Sequence, residues 1–154
     1  MISKTKHFTD TIFYQIELTA RYSKMLGAQL FGMLGIGLTI EEFSVLDTVI
    51  AQEDLCQRDL AKLILKDRAN TGKLLDSLEN KGLLVRELSV KNNRPVKIIK
   101  ITEEGRKFYS ETYKKLKPHH EIVEKKIANT DLEKVGELLR ELREILEDTI
   151  DIDI

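Results

Sequence analysis

Arg68, Asn70, Thr71 and Lys73 lie within six residues of one another and carry two cations, an amide and a hydroxyl, with no carboxylate between them. Groups of this kind donate and accept hydrogen bonds at fixed positions without exchanging protons at neutral pH. Held on the leading turns of a helix, they suit base edges and phosphates in a DNA major groove. An ordinary solvated helix face is the competing reading. Lys91, Asn92 and Arg94 form a second cationic group, where a narrow minor groove would attract Arg94; basic hairpin tips also serve solubility.

Other chemistry is poorly supported. Cys56, the single cysteine, excludes an internal disulfide framework. Its position at the start of a helix would favour a thiolate, but a small buried thiol is the commoner case. His119 and His120 are adjacent and diverge by about 100° on a helix, and His7 is remote, so neither a metal nor another cofactor is expected. The chain has no glycine-rich phosphate loop, no nucleophile elbow and no histidine placed with a serine or acid partner.

The elements that must position these groups follow from periodicity. Asp67 is a natural N-cap, Leu74, Leu75 and Leu78 recur at helical spacing, and Gly82 sits where a left-handed residue would end the helix. Before it, Asp54 and Gln57 suit a capping box for a short helix through Ile64, with Leu60, Ala61 and Ile64 inward. Two short helices so joined are a helix-turn-helix candidate. After Gly82, Leu83–Val90 and Val96–Ile101 read as a β-hairpin joined by Lys91-Asn92-Asn93-Arg94-Pro95, with Pro95 at the start of an edge strand.

Flanking this lobe, residues 6–34 form a long helical pattern with two apolar stripes, Ile12, Phe13, Ile16, Ala20 and Tyr14, Leu18, Tyr22, Met25. It loosens through Gly27, Gly32, Gly35 and Gly37. Thr39 and Glu42 make a capping box for a helix burying Phe43, Val45, Leu46, Val49 and Ile50. Thr102 caps another helix, which Pro118 should kink or interrupt. Thr130-Asp131-Leu132-Glu133 is a further capping box before a near-heptad stripe from Leu132 to Leu146. Terminal helices with such wide apolar faces predict a homodimer.

The 154 residues fit one domain; 42% are hydrophobic and 33% charged, which suits a helix-rich globular protein. No apolar run approaches the roughly 20 residues that span a bilayer, and no secretory pattern opens the chain, so a cytoplasmic location is expected. The net charge is only −1, but residues 57–100 hold eleven cations against five carboxylates, a net of +6, and residues 131–154 nine carboxylates against three cations, a net of −6. A basic middle and an acidic tail suggest one surface for a polyanion and another kept from it.

In that order the elements resemble a MarR-type transcriptional regulator over nearly the whole length. The resemblance is carried by Leu60-Ala61, by Leu78-Glu79-Asn80-Lys81-Gly82-Leu83-Leu84 with Arg86, and by Ile101-Thr102-Glu103-Glu104-Gly105-Arg106. It implies a mainly α fold with a small β-hairpin: a winged helix-turn-helix lobe at 39–101, and dimerisation helices at 6–34 and 102–150, within a single domain of residues 1–154. It further implies a homodimer on a pseudo-palindromic DNA duplex, released by a small-molecule effector. Tyr14, Tyr22, Phe43, Tyr109 and Tyr113 would line the effector cavity, although aromatic residues also fill ordinary cores. Relatives that sense peroxide place the reactive thiol in the first helix, which Cys56 does not match. Many relatives also carry an acid before the wing tip and an aspartate-arginine pair within it; here Ser89-Val90-Lys91-Asn92-Asn93-Arg94 puts Arg94 in the arginine's place with no such acid. A winged-helix protein-interaction module without strong DNA affinity is the alternative.

Overall fold

The computed structural model describes residues 7–127 and 131–150, in two compact units, Met1–Phe43 and Ser44–Ile154. In the first unit the long helix begins later than its apolar pattern. A single 3-10 turn, Phe8–Asp10, precedes α1 (Ile12–Met33), because Thr11 is extended and its hydroxyl accepts the Tyr14 amide at 3.4 Å. α1 ends at Gly35, whose φ of +61° lets the Ile36 amide reach back to the Phe31 carbonyl at 2.9 Å. Thr39 and Glu42 form the expected reciprocal box, the Thr39 amide donating to Glu42 at 2.8 Å and the Glu42 amide to Thr39 at 3.1 Å. They open α2 (Ile40–Ala51). Leu30, Phe31 and Leu38 are buried, and Phe31 meets Phe43 edge to face at 5.8 Å.

The second unit contains the rest of α2, then α3 (Gln57–Leu63), α4 (Arg68–Asn80), β1 (Leu84–Lys91), β2 (Arg94–Ile101), α5 (Glu103–Lys126) and α6 (Leu132–Thr149). Its core gathers Val45, Leu46, Val49, Leu55, Leu60, Ala61, Leu75, Leu78, Leu83, Leu84, Ile98 and Ile99. The strands pair antiparallel from Leu84↔Ile101 to Lys91↔Arg94. The connection is tighter than the five residues expected. Asn92 and Asn93 both have positive φ, 53° and 58°, and close a two-residue turn of the kind that matches strand twist. Pro95 therefore lies inside β2, opposite Val90; in a two-stranded sheet each strand is an edge and tolerates it. Ile98 and Ile99 are adjacent yet both buried, because the chain before α3 adds a short third pairing. The Ile99 amide donates to Leu55 at 2.8 Å, and Cys56 bridges Ile98.

Pro118 does not break α5, which runs through it without interruption. Pro118 and Lys114 are both exposed, so water can satisfy the carbonyl that proline's missing amide leaves open. The last helix is capped by Asp131, which accepts the Lys134 amide at 3.2 Å, whereas Thr130 lies outside the described residues. Among the described residues no helix is long and apolar enough to cross a membrane.

Candidate nucleic-acid interface

α3 and α4 are joined by a turn in which Leu65 adopts φ of +50°. Its amide donates to Lys62 at 3.3 Å and the Lys66 amide to Ala61 at 3.0 Å, which closes the end of α3. The cap expected from Asp54 and Gln57 forms elsewhere. Asp54 sits in a left-handed turn, Cys56 is the N-cap, and Asp59 accepts the Cys56 amide at 3.4 Å. Gln57 crosses instead to α4: its side-chain amide donates to the Arg68 carbonyl at 3.0 Å, lying over Gly72, where a Cβ would stand 3.1 Å from it.

Asp67 caps α4 as its sequence position predicts, accepting the Asn70 amide at 2.8 Å and the Asn70 side chain at 2.6 Å. Those bonds hold the Asp67 carboxyl below the usual carboxylate range. Arg68, Asn70 and Lys73 are exposed on the leading turns. Thr71 is not: it is fully buried, and its hydroxyl donates back to the Asp67 carbonyl at 2.9 Å. Residue 71 is four before Leu75 and seven before Leu78, on the inward stripe, so its assignment as a DNA contact is withdrawn.

The hairpin is fastened at two levels. Near its base the Arg86 guanidinium donates to Glu79 at 2.5 and 3.1 Å and to Asp76 at 2.5 Å, and the Arg86 amide donates to Glu79 at 3.0 Å. Arg86 holds the Glu79 carboxyl below its ordinary range, and Glu79 in turn raises the guanidinium. At the tip the Lys91 ammonium donates to Asp59 at 2.9 Å. That contact lowers the Asp59 carboxyl and raises the Lys91 ammonium. Asn92 and Arg94 are exposed. Between α3 and the wing lies an open cleft of about 510 Å³, lined by Cys56, Arg58, Lys91, Asn92, Arg94, Pro95 and Val96. Sequence reasoning missed Arg58 and Asp59; helical phase alone does not reveal that the first turn of α3 faces a hairpin tip thirty residues on. Cys56 is half-buried in this cleft.

Of the five aromatics expected to line a cavity, Tyr14, Tyr22 and Phe43 belong to the first unit and Tyr109 and Tyr113 to the second. In the first unit Tyr14 meets Phe8, Phe43 meets Phe31, and Tyr22 stands exposed. A cleft of about 500 Å³ in that unit is lined instead by Phe31, Ile36, Leu38 and Ile40, with Lys24 and Glu41 paired at 3.5 Å. In the second unit Tyr109 and Tyr113 stack at 6.2 Å. The Tyr109 hydroxyl donates to Asp47 at 2.5 Å, and this pushes its pKa up to about 12. Tyr109 and Tyr113 are one turn apart on α5, whereas Phe31 and Phe43 pair across α1 and α2. Among the described residues no group of three or more histidine, cysteine or acidic side chains is placed to hold a metal ion.

Residues 36–94, which span the capping box of α2 through the hairpin tip, match the MarR family. No curated protein matches the sequence. The fold is that of solved regulators along most of the chain. The transcriptional regulator BldR from Sulfolobus solfataricus is 26% identical, with 89% of this chain and 93% of that one covered and a TM-score of 0.70. CouR from Rhodococcus jostii RHA1, bound to p-coumaroyl-CoA, is 22% identical, with 96% and 100% covered and a TM-score of 0.74. MepR from S. aureus, in complex with DNA, is 21% identical, with 94% and 100% covered and a TM-score of 0.71. The matched segment takes in the helix-turn-helix and the wing as far as its tip, and over this segment the chain is similar to the MarR family of transcriptional regulators.

Proposed function

We propose that the protein acts as a homodimer on a pseudo-palindromic duplex. In this reading α4 enters the major groove with Arg68, Asn70 and Lys73 outward, while Asn92 and Arg94 reach the minor groove and Lys91 the adjacent phosphates. The observation that carries the reading is the division of α4. Its exposed leading turns hold the polar and cationic side chains, whereas Thr71, Leu75 and Leu78 are buried and fix its orientation. The positive charge of residues 57–100 supports contact with a polyanion.

Dimerisation is supported by apolar side chains that a single chain leaves in water. On α1 these include Ile12, Phe13, Met25 and Met33, and on α6 Leu138 and Ile145. A small-molecule effector would act by favouring a dimer with a different spacing of its two α4 helices. The 500 Å³ cleft beside Phe31 and Ile36 is a better candidate for its site than the aromatic set named from sequence. Selection of duplexes from a random pool by the purified full chain tests the proposal. A twofold-symmetric consensus supports it; recovery of no consensus refutes it.

A further inference from the structure

Residues 88–95 at the wing tip are all exposed, and an isolated two-stranded ribbon has little stability of its own. Among the described residues, one side-chain hydrogen bond or ion pair joins this tip to the rest of the unit: Lys91 to Asp59, at 2.9 Å. Asp59 stands in the first turn of α3 and also accepts the Cys56 amide at 3.4 Å, so one carboxylate ties the start of the helix-turn-helix to the end of the wing. Its side chain is 27% exposed, which shields the pair in part from solvent. The cleft it borders is otherwise cationic, with Arg58, Lys91 and Arg94 in its lining. A carboxylate beside a surface for phosphates opposes binding by its charge alone; what offsets this is the geometry it imposes.

We propose that Asp59 is a positioning residue for DNA recognition, holding Lys91 and the wing tip against α3 so that the cations of the cleft meet the duplex already arranged. The acid that braces the wing is thus supplied by α3, 32 residues upstream of the lysine it holds. The inference rests on the reading of the wing as a DNA contact. Charge and positioning predict opposite signs. Removing a negative charge near a polyanion should tighten binding, whereas releasing the tip should weaken it through the ordering it must then undergo.

The test measures affinity of the full chain for a duplex selected by the wild-type protein, with circular-dichroism melts confirming that each variant is folded. Asp59→Asn, nearly the same shape, is expected to weaken binding about fivefold, the scale of a partly exposed ion pair. In a Lys91→Met background the same substitution is expected to be neutral or to tighten binding. Unchanged or tighter binding by Asp59→Asn alone overturns the proposal, as does an equal loss in both backgrounds, which would place the effect in α3. Arg94→Ala separates the levels. If it weakens binding while Asp59→Asn does not, only the role of Asp59 falls; if neither weakens it, the wing reading falls too.

Discussion

The Leu83 carbonyl oxygen occupies the space where a side chain on Gly105 would begin. The Thr102 amide donates to that same carbonyl at 3.1 Å, and the Thr102 hydroxyl donates to the Gly82 carbonyl at 2.7 Å. The same hydroxyl accepts the Gly105 amide at 3.0 Å. Two sequence stretches that seemed separate signatures, Gly82-Leu83 and Thr102–Gly105, are therefore the two sides of one contact, where α5 starts against the base of the wing.

Gly105→Ala should destabilise the fold by about 2 kcal/mol, because backbone rather than a flexible side chain must move. Gly136→Ala on α6 meets only Arg140, at an ordinary 3.7 Å, and should stabilise by roughly 0.5–1 kcal/mol. Urea midpoints check both. Equal midpoints for Gly105→Ala and wild type would contradict the packing described.

Arg86 anchors β1 to α4, so Arg86→Met should cost about 1 kcal/mol at neutral pH once screening at the more exposed Glu79 side is allowed for. The pH dependence follows from Glu79, whose folded pKa lies below its ordinary 4.5. Its contribution is fully present above 4.5 and is lost as pH falls through the lower folded value. The gap in urea midpoint between wild type and variant should hold above that pH and shrink below it. A gap that persists in strong acid would contradict the ion pair.

Much of this fold was legible because its signals are local. Asp67, Thr39 with Glu42, Gly82 and Thr102 each mark a boundary by hydrogen bonds made within a few residues, and each does so in the structure. Misreadings arose where a distant partner decides. The apolar pattern of α1 runs on past its cap, so only Thr11 reveals the start. Leu65 takes a left-handed conformation that favours glycine or asparagine, and nothing in its side chain signals it. Thr71 has the composition of a DNA contact but the helical phase of the core. Asp59 reads as a surface acid until the hairpin brings Lys91 to it.

Thr71 and Arg68 should separate stability from recognition. Thr71→Ala removes a buried methyl and a hydrogen bond, and should cost about 1–2 kcal/mol in urea unfolding while leaving sequence preference intact. Arg68→Ala should leave stability within about 0.5 kcal/mol and relax sequence preference. Reversal of these two patterns would mean that α4 presents a different face.

Twofold symmetry requires the two α4 helices of a dimer to lie about one DNA turn, ~34–36 Å, apart. The most direct measurement is affinity for a selected pseudo-palindromic duplex against the same duplex with about half a turn, roughly five base pairs, inserted between its half-sites. The insertion turns one half-site to the opposite face of the DNA, so binding should fall toward the non-specific level. Equal affinity for both duplexes would contradict a dimer that reads two half-sites at once.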